Sequence, residues 1–481
     1  IEAIWGFRQL QGWAYSNHSL FRLTGSFFNP GPYSGYLAIT LPVALGILLE
    51  QSKRNMPYYL SMGCIGTAIV VLPAGMSRSA WIAVVVSCAW VYALYRLDRK
   101  QAATRLRQHK RWYIIGGILG GILLLGGSAS LYTLKKDSAD GRFLMWKITT
   151  KAIQKQPITG TSLGGFPAAY AETQAEYMAS GKATEQEKLV AGCPEYAFNE
   201  YLQIGLEQGL VGLALFIGWL GLLFYKGIKN KRYACCGGLM SLAIFAFSSY
   251  PLQLPEFWVV LIFLGVMSVT PDKDEIRENQ AESNGHRWGK QIFFMGIAIL
   301  GIGLFWMQKD HYKAYQQWNK AQMYYKNKAY EAALEVYEPL YPLLKHKPEF
   351  LFEVAQCLSK TGRYEKANGY LERAVLLSSD PMLYYVMAKN EQCLGEYRQA
   401  EKHLLHAIDI LPERIYPYYL LMNLYTEPSY FQPAKLKMAI DSVLTKKPKV
   451  ESSAIKEMKE KARSMFCLLY TSPSPRDSTS S

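Results

Sequence analysis

The sequence predicts an all-α protein in two parts, a polytopic transmembrane helical domain followed by a soluble helical solenoid. Two observations carry that prediction. Apolar runs long enough to cross a bilayer crowd the chain up to about residue 308, whereas a short amphipathic unit repeats after Lys309. The composition, 50% hydrophobic over 481 residues, is the average of these two unlike parts.

The apolar runs fall at about Tyr33 to Glu50, Tyr58 to Ala74, Ser79 to Tyr95, Trp112 to Leu134, Gln203 to Tyr225, Tyr233 to Tyr250, Leu254 to Val269 and Gln291 to Met307. Hydropathy thus gives roughly eight spans. Dense basic clusters separate some of them: Arg96, Arg99, Lys100, Arg105, Arg107, Lys110 and Arg111, then Lys226, Lys229, Lys231 and Arg232. Under the positive-inside rule these are cytoplasmic loops, with Lys53 and Arg54 on the same side. The alternation puts Met76 to Arg78, a long polar loop at about 135–202, the Pro251 to Glu256 turn and everything after Met307 on the opposite face. Topology therefore accounts for the formal charge of +15, and no nucleic-acid partner is expected.

The eight cysteines show no ligand-like pairing, so neither a zinc site nor a disulfide framework is indicated and no cofactor is expected. The chain starts at Ile1 with no signal region, and a missing N-terminal part with further spans is expected. Residues 1–308 form the expected membrane domain.

In the second part, Gly362-Arg363-Tyr364-Glu365-Lys366-Ala367 recurs about 33 residues later as Gly395-Glu396-Tyr397-Arg398-Gln399-Ala400, and Lys328-Ala329-Tyr330-Glu331-Ala332-Ala333 is an earlier copy. Ala374 and Ala407 follow at equal offsets, and Pro348, Pro381 and Pro412 close the units. This is the spacing of tetratricopeptide repeats, so 309–450 is read as a TPR-like domain. Small side chains let the paired helices approach, and neighbouring units share one core. A fourth, divergent unit is expected from Tyr416 to Lys447. Such an array suggests a protein partner rather than chemistry. Residues 451–481 are read as a tail, disordered or artefactual at its Ser/Pro-rich end.

Three polar islands interrupt the membrane domain on the face opposite the basic loops. The first, Asn17 to Pro30, carries His18 and Arg22; the second, Gly75 to Trp81, carries Arg78. The third is the long loop, with Arg142 near its start and Ala197 to Gly209 at its end, where Asn199, Glu200 and Glu207 run directly into an apolar stretch. Ionisable groups at a membrane boundary are costly and usually functional. Glu207 lies about two helical turns beyond Glu200, which puts both carboxylates on one face if the segment is helical. Gly116 to Gly121 lies inside a span and reads as a helix-packing face. Leu163 to Phe166 lacks the preceding strand and following Lys-Ser/Thr of a nucleotide loop.

Gly25 to Pro30, Ser77-Arg78-Ser79-Ala80, Gly141-Arg142 followed by Pro157 and Gly160 to Phe166, and Asn199-Glu200-Tyr201-Leu202 with Glu207-Gln208-Gly209 resemble the motifs of the O-antigen ligase and polymerase superfamily, which includes bacterial protein O-oligosaccharyltransferases. The resemblance covers about Gly25 to Thr270. It implies a metal-independent inverting transferase, multi-pass in the bacterial inner membrane, with the long loop and the repeats in the periplasm. The donor would be a glycan on undecaprenyl pyrophosphate. The acceptor would be a glycan, lipid A core or protein, with membrane lipids around the spans.

That chemistry has two physical needs. The departing pyrophosphate must be held by cations, and the planar guanidinium donates two parallel hydrogen bonds to phosphate oxygens. Arg78 and Arg142 match the family arginines, and Arg142 is taken as catalytic as well as binding; Arg22 ranks below them. The acceptor hydroxyl must also lose its proton to a base. Many family members place His directly before Asn-x-x-Leu, whereas this chain has Phe198, which accepts no proton. Glu195 and Glu200 flank it and are the candidate bases, since desolvation raises a carboxyl pKa. Asn199, Glu207 and His18 complete the substrate-binding candidates, with Glu207 orienting its segment. A ligase is the leading reading, with a polymerase or a protein O-oligosaccharyltransferase as the near alternative. A non-catalytic TPR scaffold is the alternative of another class, and it has no use for Arg78 and Arg142 at separate boundaries.

Overall fold

The computed structural model describes residues 1–51, 53–98, 136–271, 287–448 and 450–471. Among these the regular structure is helical throughout. The chain divides into two compact units: Ile1–Trp146, Ile153–Thr161 and Tyr196–Arg287 form the first, and Lys147–Ala152, Ser162–Glu195 and Trp288–Ser481 the second.

In the first unit, four helices among the described residues are long and apolar enough to cross a membrane: Pro30–Glu50, Met56–Gly75, Arg78–Asp98 and Gly209–Lys229; Tyr233–Ala246 and Pro255–Val269 are shorter and equally apolar. They fall on the apolar runs read from the sequence. The run Trp112 to Leu134 lies outside the described residues, as does Gly116 to Gly121 within it. Gln291 to Met307 forms part of the 40-residue helix Arg287–Lys326.

Local chemistry sets the helix starts. Asn29 Oδ1 accepts from Gly31 N at 2.9 Å with Pro30 at the first helical position, and Asn55 Oδ1 accepts from Tyr58 N at 3.2 Å. Pro30–Glu50, Arg78–Asp98 and Tyr233–Ala246 pack together as the centre of this unit, around Tyr33, Leu37, Ile39, Leu239 and Phe245. Large apolar side chains elsewhere face outward, among them Leu215, Leu222, Val259 and Phe263, as a lipid-facing surface requires.

The first unit also holds a backbone crossing. Thr161 N donates to Leu206 O at 2.9 Å, and Leu210 N donates to Pro157 O at 2.8 Å. Gly160 and Gly209 make it possible, at φ +70° and +69°, where a Cβ on Gly209 would overlap the Ile158 carbonyl and one on Gly160 the Glu207 backbone. The Pro-Ile-Thr-Gly and Glu-Gln-Gly motifs are thus two halves of one joint.

In the second unit, Tyr330–Leu344, Pro348–Lys360, Tyr364–Val375, Met382–Leu394, Tyr397–Ile410, Ile415–Tyr425 and Pro433–Thr445 pack each on the next. The repeat alanines Ala333, Ala367, Ala374, Ala400 and Ala407 are fully buried at these contacts, so the repeat read from the sequence is the packing rule of a TPR-like array. Ile415–Tyr425 and Pro433–Thr445 form a helix pair in the stretch where the sequence suggests a fourth unit. Where the sequence suggested a tail, Ser453–Thr471 is a helix that packs Ile455, Ala462, Met465 and Phe466 against the array. Residues 472–481 lie outside the described residues. Part of the polar loop belongs here too, since its helix Phe166–Ala179 packs on Tyr397–Ile410.

Candidate active site

Three helix starts converge in the first unit. Pro30 and Gly31 open Pro30–Glu50, Arg78 and Ser79 open Arg78–Asp98, and Ser138 and Arg142 lie in the first two turns of Lys136–Lys155. With the first-island segment Leu20 to Leu23 they enclose a cavity of about 390 Å³. Its polar wall is Arg22, Arg78, Arg142, Asn29, Ser77 and Ser79. The first turns of helices carry unpaired N–H groups and the positive end of the helix dipole, so the backbone reinforces the arginines.

Arg78 is the first residue of its helix, where a cation works against that dipole. Burial holds the Arg142 guanidinium below its ordinary range, the charge of Arg78 lowers it further, and Tyr250 partly opposes the shift. The two guanidinium groups repel across the cavity, and a bound anion would relieve both.

Aromatic stacking seats Arg142. Its Nη1 donates to the Ser248 carbonyl at 2.8 Å, and its guanidinium lies over the Phe198 ring at 5.3 Å. The Phe198 ring meets Tyr250 edge-on at 4.9 Å, and Tyr250 stacks on Tyr196 at 5.2 Å. Such a cation–π contact contributes about 0.5 to 2 kcal/mol, depending on desolvation. Phe198 thus forms a seat for an arginine, on a backbone with φ +49°.

The following segment is helical, Glu200–Glu207, with Asn199 as its cap accepting from Leu202 N at 3.1 Å. Glu200 and Glu207 are both buried, at 1% and 8% exposure, on the shared face that their spacing implies. Glu200 accepts from Leu252 N at 2.6 Å and from Gln253 Nε2 at 3.0 Å, so it anchors the turn that carries Tyr250. Burial pushes its carboxyl up to about 7, against the pull of those hydrogen bonds and with a contribution from the Glu207 charge. Gln203 ties the segment together, its amide donating to Glu207 at 3.3 Å and its carbonyl accepting from Ala197 N at 3.0 Å.

The cavity therefore brings Arg78 and Arg142 together and adds Arg22, which the sequence ranked lower. Asn199, Glu200 and Glu207 are not among its lining residues; Glu200 and the Arg142 seat share the 248–253 turn instead. His18 accepts from Leu20 N through Nδ1 at 3.0 Å and packs on Phe21 at 4.7 Å, beneath two lining residues. Glu195 belongs to the second unit, where it is exposed on a cavity shared with Ser378, Asp380 and Arg414. Ser138 and Asn29 escaped sequence reasoning as site residues, because only the fold shows that three helices start at one place.

Residues 63–217 match the family model described as O-antigen ligase, a range that contains Arg78, Arg142 and the whole Asn199 to Gly209 segment. The chain carries an O-antigen ligase domain. That domain and the apolar helices around it mark a membrane protein with a function of the glycan ligase or polymerase type. Residues 326–407 match the model for anaphase-promoting complex, cyclosome, subunit 3, a TPR-like match that overlies the repeats. No curated protein matches the chain. Solved structures similar to it include a crystal structure of MamA protein, with 17% identity over 32% of this chain and 89% of that one and a TM-score of 0.27. Another is MamA 41-end from Desulfovibrio magneticus RS-1, with 21% identity over 35% of this chain and 98% of that one and a TM-score of 0.27.

Arg78 and Arg142 of the cavity wall lie inside the matched range, and Arg22 and Asn29 lie before it. The described lining residues include no carboxylate and no imidazole, so this wall suits a leaving group with negative charge rather than a hydroxyl that must lose a proton.

Proposed function

We propose that the chain is an inner-membrane glycosyltransferase of the ligase type, which moves a glycan from undecaprenyl pyrophosphate to an acceptor hydroxyl on the periplasmic face without a metal. The supporting observation is the cavity on which Arg22, Arg78 and Arg142 join the first turns of three helices. The acceptor oxygen attacks the anomeric carbon, the bond from that carbon to the pyrophosphate oxygen breaks, and its electron pair leaves on the lipid pyrophosphate. Arg78 and Arg142 bind that group and offset the charge it gains, Arg142 being the catalytic cation. The hydroxyl proton goes to Glu200, the carboxyl that burial brings to about 7; Glu195, the other candidate read from the sequence, belongs to the second unit and has no part in this assignment. Asn199 and Glu207 order the segment, and His18 supports the first-island wall. The acceptor is lipid A core, another glycan or a protein hydroxyl.

The test is glycan transfer from a lipid-pyrophosphate donor in membranes of a ligase-deficient cell, comparing the full-length chain with Arg142→Ala and Arg78→Ala at equal expression. Loss of transfer in both variants supports the reading, and undiminished transfer by Arg142→Ala overturns it. Phe198 in the histidine position favours a second reading, a TPR scaffold without activity. A well-expressed chain that transfers nothing across several donors and acceptors would establish that one instead.

A further inference from the structure

The repeat unit contains more than repeats. Its helix Phe166–Ala179 comes from the polar loop, and Phe166, Tyr170 and Gln174 follow one another at four-residue spacing along one buried stripe. Phe166 and Gln174 are fully buried, and Tyr170 is 2% exposed. A glutamine amide buried in this way must satisfy two donor hydrogens and a carbonyl. Nε2 donates to the Ile410 carbonyl at 2.8 Å and to the Gly192 carbonyl at 3.0 Å, and Oε1 accepts from the Tyr170 hydroxyl at 2.7 Å.

Ile410 is the last residue of the repeat helix Tyr397–Ile410, and its carbonyl is one of those a helix cannot satisfy from within. Gln174 therefore caps a repeat helix from 236 residues away. Two further ties lie nearby. Ser379 Oγ donates to the Pro194 carbonyl at 3.1 Å, and the Glu172 carboxylate is 3.4 Å from His406 Nε2.

We propose that the TPR-like array is an internal clamp whose resident ligand is the chain's own loop helix Phe166–Ala179. On this surface the repeats order the loop between Thr161 and Tyr196 instead of recruiting another protein. A foreign helix would have to displace a glutamine with every hydrogen-bonding group already used, together with two buried aromatic rings. Gln174 is the central positioning residue, acting through the loop and touching no substrate. The consequence for transfer rests on the ligase reading, but the clamp itself does not.

The experiment uses the full-length chain in membranes. Glu172→Cys with His406→Cys should be joined by a short bifunctional maleimide, whose span matches the two long side chains it replaces, read by mass spectrometry of the linked peptides. Gln174→Glu sets a carboxylate against two carbonyls and should raise the rate of tryptic cleavage after Lys182 about tenfold, with helix content retained. Wild-type cleavage of Gln174→Glu, or a double-cysteine chain that never links these two positions, would overturn the clamp. If Gln174→Glu fails to fold, the cysteine pair decides alone. Where the parent transfers glycan, Gln174→Glu should lower transfer, and closing the maleimide link in the same chain should restore it. An inactive parent counts against the transferase reading only, leaving the clamp to the cleavage and linkage results.

Discussion

Arg142 holds its guanidinium 5.3 Å over the ring of Phe198 while its Nη1 donates to Ser248 at 2.8 Å. An aromatic face and a backbone carbonyl thus aim one cation at a cavity that already contains Arg22 and Arg78. Arg142→Ala should reduce transfer about a hundredfold, the usual effect of removing one charge-stabilising donor. Arg142→Lys should recover part of that loss, because an ammonium supplies charge without the planar fork. Initial rates at saturating and limiting donor would separate lost binding from lost chemistry.

Phe198 itself occupies left-handed backbone space, φ +49°, where a bulky side chain is strained and histidine is found several-fold more often than expected. Phe198→His should therefore fold, with a melting temperature within a few degrees of the parent. It also places a titratable ring at Tyr250, so transfer by Phe198→His should rise as pH passes about 6.5. Phe198→Val, branched at Cβ, should melt lower than either.

Glu200 yields a pH test whose sign follows from burial. Its folded pKa, about 7, lies above that of an unfolded carboxyl, so the native state prefers the protonated form. Stability from that preference is complete in acid and disappears as pH rises through about 7. Thermal unfolding in detergent should show the parent losing stability relative to Glu200→Gln as pH rises from about 4.5 to about 7, with little further change above that. If Glu200 is the base, parent transfer rises as pH passes about 7 and the variant is slow at every pH. The glutamine keeps an acceptor for Leu252 N, so a fully active variant would reduce Glu200 to an anchor of the turn.

The sequence showed the architecture because both of its periodicities are local. Long apolar runs and a unit of about 33 residues need no tertiary knowledge to be seen. The buried alanines at Ala374 and Ala407 and the helix Glu200–Glu207 appear where spacing alone put them. The cavity was only half legible. Arg78 and Arg142 stood out by type and placement; Arg22, read as a solvated loop residue, is exposed as expected, and only the fold shows that it lies on the same wall. The polar loop was read as belonging with the membrane part, because nothing in Phe166 to Ala179 reveals that Gln174 finds its partner at Ile410. The Ser453–Thr471 helix was masked by the Ser/Pro-rich end that follows it.

The crossing at Gly160 and Gly209 predicts a sharp sensitivity. Gly209→Ala must hold an L-residue at φ +69° and push its Cβ into the Ile158 carbonyl, which should cost about 2 kcal/mol or more. Reduced yield and a lowered melting temperature in detergent would register it. Gly164→Ala, at φ +77° but with open space around it, should cost only the backbone share of that amount, about 1 kcal/mol.

The same crossing gives the excursion from Ser162 to Glu195 fixed feet. Pro157 to Thr161 and Leu206 to Leu210 are pinned to each other by main-chain bonds, which no side-chain replacement elsewhere removes. Lengthening a segment closed at its base costs only about 0.6 kcal/mol per doubling. Insertions or exchanges between Thr161 and Leu206 should therefore leave both main-chain bonds of the joint in place, so this stretch of chain can change in length and sequence while its two ends stay fastened.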